Sequence, residues 1–138
     1  MKTLIKSKNY LEELKGVEIE MREFRDLKAY KIAMELATEC REIANQLPEF
    51  EETILSDQLR RSVSKLCPQV AEGKGQFYKK EEMRFYSIAT GSVCETQCHL
   101  ELCLACGYIT EEKFRELDNK ANQFKALVIK YVQKLINE

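Results

Sequence analysis

Any chemistry in this chain would have to come from six cysteines, one histidine and an uneven run of cations. Cys94, Cys98, Cys103 and Cys106 crowd into thirteen residues with His99 among them, and Cys40 and Cys67 lie apart. Cys103-x-x-Cys106 has zinc-like spacing, because two thiolates three residues apart on a turn can share one ion. This stretch reads as helix, however. At about 100° per residue, Cys94 and Cys98 lie about 40° apart, while Cys103 points roughly opposite Cys94. Thiols so dispersed do not converge, so burial as small core residues is the expected role, ahead of a metal site or a redox pair. Neither a metal nor a cofactor is expected. Lys2 and Lys6 are followed by no apolar export segment, so a reducing cytoplasm and free thiols are expected.

Catalysis finds little support. His99 has neither a nucleophile nor an orienting group at a telling spacing. Di-iron sites in helical bundles need Glu-x-x-His on two helices, which one histidine cannot supply. Ala71-Glu72-Gly73-Lys74-Gly75 looks like a phosphate loop only superficially. It lacks the P-loop spacing and a preceding strand, so a helix-ending turn is the better reading. No helix-turn-helix, zinc-finger or RNA-recognition signature is present. A binding protein, not an enzyme, is expected.

The cations offer more. From Arg60 to Arg84 stand seven basic residues (Arg60, Arg61, Lys65, Lys74, Lys79, Lys80 and Arg84) against three acidic ones (Glu72, Glu81 and Glu82). From Phe24 to Leu59 the balance is four basic to eight acidic, and the whole chain carries a net charge of −1. Gln76-Phe77-Tyr78-Lys79-Lys80 interleaves aromatics with cations beside this cluster, a mixture that grips phosphates and stacks on bases. Solvated helix surface and bundle packing are the competing explanations. On a helix Arg60 has Asp57 or Glu72 within reach, which leaves Lys74, Lys79 and Lys80 as the freer cations.

The elements that must position these residues read as helices. The 138 residues hold five Gly and two Pro, too few turn formers for a β-rich fold, and 44% of residues are hydrophobic. No apolar run approaches a membrane span. Residues 1–22 form an N-terminal extension, in which Ser7 or Asn9 is placed to cap a short helix ending before Gly16; residues 23–138 form one domain. Helix one is predicted over Leu27–Leu47, with Ala29, Ala33, Leu36, Cys40, Ile43 and Leu47 inward and Pro48 as its stop. Helix two runs from near Thr53 to Ala71 or Glu72 on the stripe Leu55, Leu59, Ser62, Leu66 and Val70. Pro68 should kink its last turns, and Gly73 and Gly75 should supply its exit. Helix three spans about Lys79 to Cys106, with Tyr86, Ala89, Val93, Leu100 and Cys103 inward and Gly107 beyond its end. Helix four follows the cap Thr110, on Phe114, Leu117, Ala121, Phe124, Val128, Tyr131 and Leu135. Leu127, Ile129, Val132 and Ile136 lie off that stripe and suggest a further contact with another subunit. Short connections make this an all-α, antiparallel, up-down-up-down four-helix bundle.

Several segments, in order, resemble one family. Phe24-Arg25-Asp26-Leu27-Lys28-Ala29-Tyr30 is similar to the "(F/Y)-R-D-L-x-(V/I)-W" opening of the four-helix-bundle proteins encoded within intervening sequences of bacterial 23S rRNA genes. Gln58-Leu59-Arg60-Arg61-Ser62 looks like their "Q-L-R-R-A", and Val70-Ala71-Glu72-Gly73-Lys74-Gly75 like their "I-A-E-G-x-G". Lys79-Lys80-Glu81 with Arg84-Phe85 looks like "K-K-E-F-x-R-F", and Gly107-Tyr108-Ile109 like "L-G-Y-I". Tyr30 stands where Trp is usual, Pro68 is displaced by one position, and Tyr78 replaces a capping Ser. The resemblance covers about residues 24–138. It implies a four-helix bundle that assembles as a homopentamer. Its superfamily includes the accessory variability determinant of diversity-generating retroelements, a basic pentamer that binds nucleic acid and a reverse transcriptase. The expected function is therefore a non-enzymatic, oligomeric, nucleic-acid-associated adaptor, accessory to a reverse transcriptase or an rRNA intervening sequence. The expected nucleic-acid-binding residues are Arg60, Arg61, Lys65, Lys74, Lys79, Lys80 and Arg84. The alternative is a protein-binding scaffold with no nucleic-acid role; neither reading involves a membrane.

Overall fold

The computed structural model describes residues 11, 12 and 14–138. The start of the short helix expected after Ser7 or Asn9 lies outside them. Gly16, where that helix should end, takes a left-handed φ of 78°. Among the described residues there is no strand, and no helix is long and apolar enough to cross a membrane.

Helix α1 spans Lys28–Gln46. It ends because Leu47 precedes Pro48, whose ring forces the preceding residue into extended backbone, here ψ 158°. A single 3-10 turn, Glu49–Glu51, leads towards α2 at Leu55–Ser64. The second rod then breaks at Lys65 and resumes as α3, Leu66–Lys74. The regular helical pattern is thus interrupted three residues before Pro68, at Lys65, whose φ of −77° and ψ of −22° stay in the right-handed helical region. Proline cannot donate to a carbonyl four residues back, and its ring crowds that carbonyl, which belongs to Ser64. Restarting the helix at Leu66 puts Pro68 in a first turn, where backbone donors have no intrahelical partner anyway.

Helix α4 spans Lys79–Ala105 and α5 spans Glu111–Asn137. Between them Gly107, at φ 78°, closes α4: Tyr108 N–H donates to the Cys103 carbonyl and Gly107 N–H to that of Leu104. Thr110 caps α5, its hydroxyl accepting from Lys113 N–H at 3.1 Å. The exit glycines divide their work differently from expectation. Gly75 ends α3 with an ordinary φ of −81°. Gly73 lies inside α3, where a Cβ would sit 2.6 Å from Cε1 of the Tyr86 ring. Its missing side chain lets α3 and α4 approach closely.

The rods run up, down, up and down. α1 packs on α2, α3 and α5, and α4 packs on the same three, so the diagonal pairs do not touch. The predicted inward faces are buried except at their ends: Leu47, Phe114, Tyr131 and Leu135 are only partly covered. Phe124 and Leu117 are fully buried, each worth roughly 2–3 kcal/mol of apolar transfer. Buried Thr96 donates to Ser62 at 3.0 Å, joining α4 to α2. On α5, Ile129 and Ile136 stay exposed while Leu127 and Val132 are partly covered.

Candidate nucleic-acid interface

The antiparallel topology divides the seven predicted cations into two groups. Arg60, Arg61 and Lys65 lie on or just after α2, midway along the bundle. Lys74, Lys79, Lys80 and Arg84 gather where α3 hands over to α4. Nine residues of helix, roughly 14 Å, separate Lys65 from Lys74.

The mid-bundle group is largely neutralised. Arg60 donates to both carboxylate oxygens of Glu52, at 2.9 and 3.1 Å, and to Asn45 at 2.9 Å, tying the α1–α2 connection to both helices. Its partner is therefore neither Asp57 nor Glu72. Asp57 is taken by Arg61, one turn on, at 3.0 Å. Lys65 lies 4.0 Å from Glu95 of α4, and His99 Nε2 lies 3.6 Å from the same carboxylate. Gln58, Arg61, Lys65, Glu95 and His99 line an open groove of about 500 Å³.

The end group differs. Lys79 and Lys80 are exposed and make no ion pair among the described residues. Phe77, 63% exposed, precedes them. Arg84 pairs with Glu81 at 3.3 Å and lies over the Phe85 ring. Lys74 is half-buried. Burial, reinforced by the nearby charge of Arg22, pushes its amine below the usual lysine value.

This end also contains groups outside the predicted set. Glu82, in the first turn of α4, is only 3% exposed. Arg22, from the segment before α1, donates to both of its oxygens at 2.8 Å, and Tyr86 donates to Oε2 at 2.6 Å. The Arg22 guanidinium is held charged by its hydrogen bonds to Glu82, and burial, then Glu82, pushes the Tyr86 phenol upward. Lys134 arrives from the end of α5. Up-down-up-down order is the sequence signal that could have placed it there, since it brings the ends of rods two and four together.

The thiols depart from expectation. Cys40 and Cys103 are buried in the core, but Cys67 is half-buried and Cys94, Cys98 and Cys106 are exposed. On the long α4, some thiol positions fall on the outer face. Among the described residues, no three His, Cys, Asp or Glu side chains gather as a metal-binding group.

Four antiparallel rods with a cationic end define a four-helix-bundle protein. The model of the 23S rRNA-intervening sequence protein family matches residues 25–130, and the chain belongs to that family. Its fold is shared with a solved protein of unknown function from the S23 ribosomal protein family of Bacteroides thetaiotaomicron, at a TM-score of 0.70 and 21% identity, over 76% of this chain and 95% of the other. Among curated proteins, none matches the chain.

Proposed function

We propose that the protein is a non-enzymatic, oligomeric adaptor that associates with nucleic acid through the end of the bundle where α3 meets α4. The observation that carries this reading is the pair Lys79 and Lys80, exposed and without carboxylate partners among the described residues, next to exposed Phe77. Free cations release counterions from a phosphate backbone, and an adjacent ring can stack on a base. The family name associates such proteins with 23S rRNA intervening sequences, so structured RNA is the first ligand to try. The exposed Ile129 and Ile136 on α5 support self-association, for which a ring of five is the arrangement proposed here. Assembly would repeat a weak site several times and make later contacts intramolecular.

Two measurements test this reading. Light scattering should give about five times the 16.1 kDa chain mass. Binding to structured RNA and duplex DNA should weaken steeply with salt. Reversing Lys79 and Lys80 to Glu should lower the salt slope by about two per subunit engaged. If the wild type fails to bind at low salt, or the variant binds equally well, the protein-binding scaffold replaces the adaptor.

A further inference from the structure

A cleft of about 200 Å³ opens at the same end of the bundle, between the last turns of α3 and α5 and the first turns of α4. Three cations line it: Arg22, Lys74 and Lys134. The carboxylates that face it are Glu82 and Glu138. Arg22 is consumed by its two-pronged bond to Glu82, and the Tyr86 hydroxyl is directed to the same carboxylate. This leaves Lys74 and Lys134 with no ion pair among the described residues, opposed by the exposed Glu138 alone. The rings of Tyr86 and Tyr131, 6.3 Å apart, form an apolar wall. Half-buried Lys74 and exposed Lys134 thus bring two ammonium groups, unpaired among the described residues, to the lining of one partly enclosed cleft. Burial, then the nearby charge of Arg22, depresses the Lys74 amine, with Lys134 adding in the same direction.

We propose that the cleft is an oxyanion site for a terminal phosphomonoester, with Lys74 and Lys134 as the two cations that close on it. A dianion matches two ammonium charges. A small cleft at a bundle end admits a chain terminus or a free phosphate, whereas an internal phosphodiester would carry a nucleoside on each side. The inference goes beyond the nucleic-acid reading because a free phosphate, or the 5′-phosphate of a strand, presents the same chemistry. Arg22 and Glu82 act as the floor: their pairing leaves the two lysines as the available charges.

Calorimetry on the full chain, with inorganic phosphate and with short oligonucleotides bearing a 5′-phosphate or a 5′-hydroxyl, distinguishes these sources. Phosphate should bind saturably. Lys74→Gln and Lys134→Gln should each weaken it about tenfold, since charge-assisted contacts are the strong ones. Replacing Lys79 and Lys80 with Gln, outside the cleft, should leave phosphate binding unchanged even where it abolishes binding to long RNA. Preference for the 5′-phosphorylated strand identifies a strand end as the ligand; equal binding of both strands alongside phosphate binding identifies a free phosphate. Absence of saturable phosphate binding, or binding indifferent to both lysine substitutions, overturns the site. Circular dichroism on each variant verifies the fold, to which half-buried Lys74 and exposed Lys134 contribute no ion pair among the described residues.

Discussion

The middle of the bundle and its α3–α4 end both carry clustered basic residues, yet they are electrostatically different. At the middle, Arg60, Arg61 and Lys65 each face a carboxylate from a neighbouring turn or helix. At the end, the best-placed carboxylate, Glu82, is buried and committed to Arg22 and Tyr86. Lys74, Lys79, Lys80 and Lys134 make no ion pair among the described residues. A run of cations therefore becomes a charged surface only where tertiary structure commits the acids elsewhere, as it commits Glu82 to Arg22 and Tyr86 and Glu81 to Arg84.

The largest effect expected from this contrast is on stability. Arg22→Ala leaves Glu82 with Tyr86 alone, and an orphaned buried carboxylate should cost about 2 kcal/mol, at the low end because Arg22 is itself a third exposed. Urea unfolding should show a lower midpoint at unchanged slope. A loss below about 0.5 kcal/mol would make this pair no different from the surface pairs of the middle.

An alkaline titration sharpens the comparison further. The Tyr86 phenol ordinarily ionises near 10.0 and is raised in the fold by burial and by Glu82. The folded state then keeps a proton that the unfolded state loses, so stability falls as pH rises above 10. Tyr86→Phe should remove up to one proton from that dependence, about 1.4 kcal/mol per pH unit. The buried thiols act with the same sign from a lower starting point. Cys40 and Cys103 shift from 9.0 to about 12 and about 11 respectively, both chiefly through burial, so their share of the slope begins near pH 9 and should persist in the variant. A slope above pH 10 that Tyr86→Phe leaves untouched would remove Tyr86 from this account.

The smallest effect belongs to the middle of the bundle. Arg61→Ala breaks an exposed one-turn pair with Asp57 and should change stability by no more than about 0.5 kcal/mol. Because that cation is already compensated, RNA affinity should fall less than it does on loss of Lys79 or Lys80. Equal losses in the same salt titration would merge the two regions into one face.

Much of the fold was legible because its signals are local. The heptads from Phe114 to Leu135, the Thr110 cap and the left-handed Gly107 each follow from a few neighbouring residues. Pro68 announced a break but not its place, which depends on where the helix can restart with proline in its first turn. Glu82 reads as an ordinary acid in a first turn, favoured by the helix dipole; only the closeness of α3 and α4, permitted by Gly73, buries it. Arg22 lies in what reads as an extension before the bundle, and Lys134 is sixty residues from Lys74 in sequence. The exposed thiols of α4 were misread because a helix touching neighbours on two sides still has an outer face, and composition alone does not say which residues occupy it.

The break at Lys65 has a mechanical consequence. An unbroken rod of twenty residues would transmit a twist applied at Lys74 back to Arg60 and its bonds across the α1–α2 connection. At Lys65 the regular bond pattern is interrupted: its N–H donates to the Ser62 carbonyl at 3.4 Å, and Gln69 N–H resumes the pattern on the Lys65 carbonyl, so the rod is least stiff at this one step. Beyond it the nine residues of α3 pack closely on α4 at Gly73, while α2 is tied by Glu52, Asn45 and Thr96. The second rod is thus two separately held segments, and the shorter one carries Lys74.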